Sequence, residues 1–330
     1  MDKIIRRFCS LSVTEYRCDF CSFLRFDLYL VVYVVALLSS IPTIMINILI
    51  LFVMRKYVSK LVGDFCKLCT HFNHNSRLNE TNKPLRIVIF LTIADLLHAV
   101  AVFPYIIYLI SKWDRTTINM NPYTIMISSA PLILHLKTNL VLTIFIALDR
   151  TLALYIPFRY RRISPSKFGN AALFIGIVIG VFDLIIEFKL SSFVEVPNCG
   201  AVGCFVSLSF RTYWGLSNMA LSITAIILTI LVMVKLHCLR INSNSLPKSQ
   251  NCRNDKLFKA SCSSLLFLLC SLLFLTTPSV VVAVTELFGV TFFRFIGPLN
   301  LAGLLSAGQQ QLILFDYFTV RKKHNAESRC

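Results

Sequence analysis

The third long apolar segment of this chain ends with an acidic and a basic residue next to each other, Asp149 and Arg150. Eight residues after the acid comes Pro157, with Arg159 and Tyr160 close behind it. A carboxylate and a guanidinium at the edge of an apolar layer attract each other, and a long arginine can also extend toward water. The sequence therefore predicts an ion pair here, either as a fixed interfacial contact or as one that opens.

Polar side chains also occur deep inside the second and third apolar segments. Asp95 lies nine residues from the start of the second segment, and Asn139 lies ten residues before Asp149. Helical rise puts these positions about 13 and 15 Å deep, so we expect a contact between them. Asn47 of the first segment could join this polar core. Hydrogen bonds of this kind also serve as plain packing contacts between membrane helices, so a switching role and a packing role both stay open.

A lysine and an aspartate form a second candidate pair within the apolar segments. Lys137 and Asp183 lie about 18–22 Å from the same end of the third and fourth segments. Buried ionisable groups are costly unless they are paired or hydrated. We therefore expect an ion pair if the two helices touch, and Lys137 reaching toward a ligand cavity is the alternative.

Proline and glycine predict the shape and packing of two other segments. Pro278 removes a backbone hydrogen bond in the sixth apolar segment and predicts a bend that could act as a hinge. Gly176 and Gly180 form a small-residue face on the fourth segment, which predicts close helix packing within the chain.

The elements that must position these residues are membrane helices. The chain has 330 residues, of which 56% are hydrophobic, and its mean hydropathy is +0.71. The apolar residues form long blocks, and a spanning helix needs about 20 of them. Because the backbone in a bilayer must satisfy its own hydrogen bonds, such blocks are helical. The sequence predicts an all-α membrane protein with a seven-helix bundle, with spans near 28–54, 86–110, 122–149, 168–190, 212–236, 257–285 and 293–319.

Basic residues predict the orientation of the bundle. Lysine and arginine are concentrated in a long first loop at about 55–86, in the two later loops on the same side, and in the tail at 320–330. The positive-inside rule then places the N-terminal segment 1–27 outside and the C-terminus in the cytoplasm, with the membrane domain at 28–319. The net charge of +17 fits attraction to the anionic inner leaflet and does not indicate nucleic-acid binding.

The string around Asp149 and Arg150 resembles the Asp-Arg-Tyr…Pro-Leu-Arg-Tyr junction of rhodopsin-like G-protein-coupled receptors, with Thr151 in place of the first tyrosine. Four further residues match that family's first two spans: Asn47, Leu91, Asp95 and Pro104. The resemblance implies that a polar core rearranges on activation, and we assign to that core Asn47, Asp95 and Asn139. It also implies that Arg150 is held by Asp149 at rest and released to a G protein, with Pro157, Arg159 and Tyr160 in the same coupling region.

Several family features are missing. The tryptophan that normally precedes the proline of the sixth span is absent, the seventh span carries Asp316 and Tyr317 in place of Asn-Pro-x-x-Tyr, and Leu132 stands where amine receptors keep an acid. The third span also lacks the cysteine that usually begins it. These departures argue against an ordinary receptor for an internal peptide or small transmitter, which stays as an alternative.

The second outer loop and the helix after it, at 198–205 and 210–219, look like the nematode serpentine chemoreceptors, most of all the class Srbc. The resemblance covers roughly residues 28–323. It implies a receptor in the plasma or ciliary membrane of a sensory cell, a small environmental or pheromone-like ligand, and signalling through a heterotrimeric G protein. Cys199 and Cys204 could bridge each other, or one of them could pair with the N-terminal segment.

The long first loop carries metal-type ligands at Cys66, Cys69, His71 and His74. Zinc fingers leave about a dozen residues between their cysteine and histidine pairs, so we expect no metal site here and no cofactor elsewhere. The loop is an unstructured insertion or a gene-model artefact.

A membrane transporter or ligand-gated channel is the alternative from another class, with Asp95, Lys137 and Asp183 along an ion path. Transporters tend to show internal repeats, and the two halves of this chain show none. No catalytic helix motif, phosphate loop or nucleophile elbow occurs, so we expect no enzyme.

Overall fold

The computed structural model describes residues 16–53, 83–114 and 117–243, together with separate positions between 265 and 284. These parts are helical, and no strand occurs among them. The predicted hinge at Pro278, the seventh span, the tail and the cysteine- and histidine-bearing loop lie outside the described residues.

Seven helices account for most of the described chain. In order they are α1 Tyr16–Val53, α2 Lys83–Ala101, α3 Phe103–Ser111, α4 Pro122–Tyr155, α5 Pro157–Arg162, α6 Pro165–Leu190 and α7 Leu208–Ser243. A short 3-10 turn at Val202–Cys204 lies in the loop before α7.

Five stretches of these helices are long and apolar enough to cross a membrane, and they correspond to the first five predicted spans. They are Tyr29–Val53, Arg86–Ser111, Pro122–Tyr155, Lys167–Leu190 and Leu208–Leu239. The third runs six residues beyond its predicted end at 149. It ends where Ile156 leaves the helical region, because the residue before a proline is disfavoured in the helical conformation.

The second span is broken into α2 and α3 beside Pro104. Proline has no backbone N–H and its ring clashes with the preceding turn, so it interrupts the helix. Hydrogen bonds from Val102 N to His98 O at 2.9 Å and from Ile106 N to Val102 O at 3.0 Å carry the chain through the break. The part of the second span after this break continues within the bundle as α3.

The third span is the central helix of the described bundle. In its most apolar stretch 72% of the residues are buried inside the protein, against 28% in the first, fourth and fifth spans. Helices α2, α6 and α7 all pack against α4. Its outer end is capped by Asn121, whose side-chain oxygen accepts hydrogen bonds from the backbone N–H groups of Tyr123 and Thr124 at 2.9 and 3.3 Å.

Glycines let α6 approach α4 closely. A Cβ atom on Gly176 would lie 3.2 Å from the Cα atom of Thr138, and one on Gly180 would lie 2.7 Å from a methyl carbon of Leu134 and 3.2 Å from its carbonyl oxygen. The small-residue face of α6 therefore packs within the chain, as the sequence predicts.

We expect Gly176→Leu to lower the melting temperature of the detergent-solubilised protein, because the larger side chain must push α6 away from the α4 backbone. Overpacking of this kind costs about 1–3 kcal/mol. Ala171→Leu is the matched control, since it adds the same bulk at an exposed position of α6. Equal melting temperatures for the two variants, measured by size-exclusion chromatography after heating, would show that the close approach is unimportant.

Candidate functional site

Helix α4 carries polar side chains on two opposite sides and at its inner end. His135, Asn139 and Thr143 recur every four residues and so share one face, whereas Lys137 lies on the other side of the helix. All four side chains are buried. The central helix therefore needs polar partners from several neighbours.

The Asp95 cluster, made of Asp95, His98, His135 and Asn139, joins α2 to α4. The Oδ1 atom of Asp95 lies 2.8 Å from His135 Nε2 and accepts a hydrogen bond of 3.2 Å from Asn139 Nδ2. The rings of His98 and His135 stack with their centroids 3.9 Å apart. The predicted contact between Asp95 and Asn139 is thus present in the structure, and a histidine pair accompanies it.

The two histidines were missed by the sequence reasoning, although the signal was available. Each lies within a predicted span, where ionisable side chains are rare and usually face a polar partner in the bundle. The spacing of His135 and Asn139, four residues apart, would have placed both side chains on the face that meets Asp95.

Asn47 does not join this cluster in the structure. Its Nδ2 atom donates a hydrogen bond of 2.8 Å to the Thr43 carbonyl oxygen, one turn earlier in α1. Short polar side chains often satisfy themselves on their own helix in this way. Asn47 is fully buried, but its described hydrogen bond holds it within α1 and not to Asp95.

A chain of polar contacts runs from the Asp95 cluster toward the predicted sixth span. Thr143 Oγ1 donates to Asn139 Oδ1 at 3.5 Å and lies 3.2 Å from the hydroxyl oxygen of Ser271. Ser271 is fully buried and lies seven residues before Pro278. The second, third and sixth segments are therefore connected by side-chain hydrogen bonds.

The Lys137 cluster, made of Lys137, Asp183, Tyr213, Ser217 and Asn218, joins α4 to α6 and α7. Lys137 Nζ lies 2.9 Å from Asp183 Oδ2, and both side chains are fully buried. The same ammonium donates to Ser217 Oγ at 2.6 Å and to Asn218 Oδ1 at 2.7 Å. The Tyr213 hydroxyl donates to Asp183 Oδ1 at 2.9 Å.

The direction of the helices explains why Lys137 and Asp183 meet. Helical side chains lean toward the N-terminus of their helix, and α4 and α6 run in opposite directions through the bundle. The two side chains therefore lean toward each other from different levels. The ammonium of Lys137 donates hydrogen bonds to Ser217 and Asn218 and makes an ion pair with Asp183, so it lies within this cluster and does not reach toward a ligand cavity.

At the inner end of α4 the predicted acid-base pair is present and has a third member. Arg150 Nη2 lies 3.2 Å from Asp149 Oδ2, and both side chains are buried. The Tyr160 hydroxyl donates a hydrogen bond of 2.9 Å to Asp149 Oδ1. Tyr160 comes from α5, so the short helix after the third span is tied to the acid.

Pro157 sets the position of that short helix. It occupies the first turn of α5, where its fixed φ angle is favourable and its missing N–H is not needed. The turn after it brings Tyr160 back to Asp149 and leaves Arg159 exposed. Phe158 is 83% exposed, the highest value among the exposed large hydrophobic side chains of the described chain. An aromatic ring and a guanidinium thus project beside the buried pair.

The loop between α6 and α7 folds onto the opposite end of the bundle. Cys199 and Cys204 are bonded to each other in a disulfide, which is one of the two pairings that the sequence left open. The Tyr33 hydroxyl of α1 donates to the Gly200 carbonyl oxygen. A Cβ atom on Gly200 would clash with that hydroxyl, so glycine is required for this close approach.

The loop is also paired with the segment before α4. Asn198 has a φ of 57°, a left-handed conformation that asparagine tolerates better than most residues. Its N–H donates to the Ile118 carbonyl oxygen at 3.0 Å, and its side-chain oxygen accepts from Ile118 N at 3.4 Å. Phe205 is buried in the apolar cluster formed by the outer ends of the first three spans. The loop therefore closes this end as a lid.

Within the described part of the chain, no three His, Cys, Asp or Glu side chains are grouped so that they could hold a metal ion. The site consists instead of the two polar clusters beside α4, the Asp149–Arg150–Tyr160 contact and the disulfide-bonded lid.

Comparison with known protein families places the chain in a receptor family. The family model described as "Serpentine type 7TM GPCR chemoreceptor Srbc" matches residues 26–305, which is more than four fifths of the chain. No curated protein matches the chain significantly. The matched range includes all of the site residues described above.

We expect Lys137→Met to lower the melting temperature strongly, because Asp183 would stay buried without its cation. Breaking a buried pair on one side typically costs about 3–5 kcal/mol. The double variant Lys137→Met with Asp183→Leu should recover part of that loss, since it leaves no unpaired charge. Lys189→Met is the control, because Lys189 is exposed. A double variant less stable than Lys137→Met, measured on the solubilised protein, would contradict the pairing.

Proposed function

Because the chain belongs to the Srbc family of serpentine seven-transmembrane chemoreceptors, we propose that it is a G-protein-coupled chemosensory receptor. It binds a small environmental or pheromone-like molecule and activates a heterotrimeric G protein. The predicted spans 257–285 and 293–319 complete the bundle, and the receptor lies in the plasma or ciliary membrane of a sensory cell.

In this proposal the N-terminus is outside and the C-terminus is in the cytoplasm. The distribution of lysine and arginine among the loops supports this orientation. It places the Asp149–Arg150 pair at the cytoplasmic face, where a G protein is available. It also places the disulfide between Cys199 and Cys204 in an oxidising environment, where such bonds persist.

The observation that carries the proposal is the contact of Asp149 with both Arg150 and Tyr160. The carboxylate of Asp149 holds the buried Arg150 side chain close to α4, the helix that carries both residues. Tyr160 keeps the carboxylate oriented and fastens α5 over it. We take this as the resting state, and a ligand that binds better to a state in which the contact is open shifts the population toward that state.

The surface around this contact supports docking of a protein partner. Phe158, Arg159 and Arg162 are exposed on α5, and aromatic and arginine side chains are enriched in protein interfaces. When Arg150 is released from Asp149, its side chain adds to this exposed surface of α5. The G protein then contacts Arg150 together with α5.

In this proposal, a conformational change inside the bundle reaches this surface through the polar contacts that run from Asp95 to Ser271. Thr143 touches Ser271 of the predicted sixth span, and Pro278, seven residues later in the sequence, is predicted to bend that span. A swing of the sixth helix must break or remake the contact between Thr143 and Ser271. Asp95 therefore acts as part of a switch, and not only as a packing group.

We predict that Asp149→Asn raises basal G-protein activation, because the neutral side chain no longer holds Arg150. Tyr160→Phe should raise it less. A hydrogen bond to a charged group contributes about 1.5–3 kcal/mol, so its loss shifts the resting-to-active equilibrium by about tenfold or more. Basal activation is measured by dissociation of the labelled heterotrimer in cells with equal receptor density at the surface.

Tyr155→Phe is the matched control for Tyr160→Phe. Tyr155 also lies at the inner end of α4, but its hydroxyl donates to the Leu231 carbonyl oxygen at 3.1 Å and not to Asp149. It should leave basal activation unchanged. Equal effects of the two tyrosine variants, or no effect of Asp149→Asn, would mean that the contact does not restrain the receptor.

We predict that Asp95→Asn changes the basal activation of the Asp149→Asn variant several-fold while surface density is maintained. The neutral amide weakens the hydrogen bonds from His135 and Asn139, which are stronger when the acceptor is charged. Asn47→Ala, tested in the same background, is the control, because Asn47 hydrogen-bonds within α1. If Asp95→Asn and Asn47→Ala give the same activation at equal surface density, packing is the whole role of Asp95.

A further inference from the structure

Glu187 is a carboxyl group that the coupling mechanism does not use. It lies in the last turn of α6, one turn after Asp183, and its side chain is fully buried. Neither of its carboxyl oxygens has a hydrogen-bond partner within the described part of the chain. A buried carboxylate without partners is strongly unfavourable, and ionisable groups kept inside a membrane span mark functional sites.

The neighbouring cation cannot neutralise Glu187. The ammonium of Lys137 is within 2.9 Å of Asp183, and its other two acceptors are Ser217 and Asn218. Since the charges of Lys137 and Asp183 cancel, an ionised Glu187 would attract a cationic guest and repel an anionic one.

Glu187 is close to the end of the bundle that the lid covers. It lies three residues before the end of α6, about 5 Å along the helix axis. Leu184 and Ile186, which come three residues and one residue before it, pack against the apolar cluster that contains Phe210 and Trp214. Aromatic faces attract organic cations, so the surroundings suit a guest with a positive head and an apolar body.

The loop between α6 and α7 is held close to Glu187. Ser191 follows α6 directly, and its hydroxyl oxygen accepts a hydrogen bond of 3.1 Å from Ser207 N, just before α7. This single contact draws the ends of α6 and α7 together above Glu187. A small ligand reaching the carboxyl group must separate the two ends or displace the loop between them.

We propose that Glu187 is the counter-ion for a small protonated amine, an organic ammonium with a short apolar chain, that binds between α4, α6 and α7. This inference rests on the proposed receptor function and gives the chemical class of its ligand. The amine supplies the positive partner that the described residues do not give this carboxyl group, one helical turn above the contact between Lys137 and Asp183. Binding of the amine thereby acts on the ion pair of Lys137 and Asp183, which holds α4 to α6.

The test uses the full-length receptor in detergent and three probes of matched size: n-butylammonium, n-butanol and butyrate. Butylammonium should raise the melting temperature in a saturable manner, and the alcohol and the carboxylate should not.

Glu187→Gln should weaken the apparent affinity for butylammonium by about tenfold or more, because one partner of a buried charge pair is lost. Without a probe, its melting temperature should equal or exceed that of the unmodified receptor, because a buried unpaired charge is gone. Glu195→Gln is the control, since Glu195 is exposed on the outer loop.

Three results would overturn the proposal. The first is an absent butylammonium shift, or an equal one with butanol or butyrate. The second is an unchanged affinity in Glu187→Gln, which would place the cation elsewhere. The third is a lower melting temperature of Glu187→Gln without a probe, which would make Glu187 a structural partner. Because binding is measured without a G protein, its failure is distinct from a failure of the basal activation test.

Discussion

The burial of the third span is the constraint on which the rest of the structure depends. Helix α4 lies at the centre of the described bundle, yet it carries lysine, histidine, asparagine, aspartate and arginine. A buried charge that loses its partner costs several kcal/mol, which is comparable with the whole net stability of an ordinary domain. These side chains therefore need partners, and most of the described partners come from a neighbouring helix, whereas Arg150 is paired with Asp149 of α4 itself. The partners fix where α2, α5, α6 and α7 lie around α4.

This arrangement suits a receptor because its contacts have discrete alternatives. An ion pair between two helices is either made or broken, and a packed interface resists intermediate states. The amine site inferred at Glu187 lies one turn from Asp183, which holds Lys137. From Lys137 the same helix leads to Asp149, twelve residues or about 18 Å further along its axis. A change in how α6 holds α4 can in this way alter the Asp149–Arg150 contact.

The sequence predicts the spans and depths well because both follow from hydropathy and helical rise. Five predicted spans coincide with helices that are long enough to cross a membrane. Similar depth was enough to pair Asp95 with Asn139 and Lys137 with Asp183. Depth does not determine how a helix is rotated about its axis. The direction of Asn47 toward its own helix, the stacking of His98 on His135 and the lack of a hydrogen-bond partner for the Glu187 carboxyl group among the described residues therefore required the structure. Tyr160 was predicted from the family string, but its contact with Asp149 depends on the turn that Pro157 begins.

The central claim is that Arg150 is the group that Asp149 restrains and that the G protein needs. The most direct measurement compares basal heterotrimer dissociation for Asp149→Asn with that for Asp149→Asn combined with Arg150→Ala, at equal surface density and without any ligand. The account predicts that the double variant returns to the level of cells without receptor while it still reaches the surface and keeps its melting temperature. Undiminished activation in the double variant would contradict the account, because the receptor would then couple without the arginine.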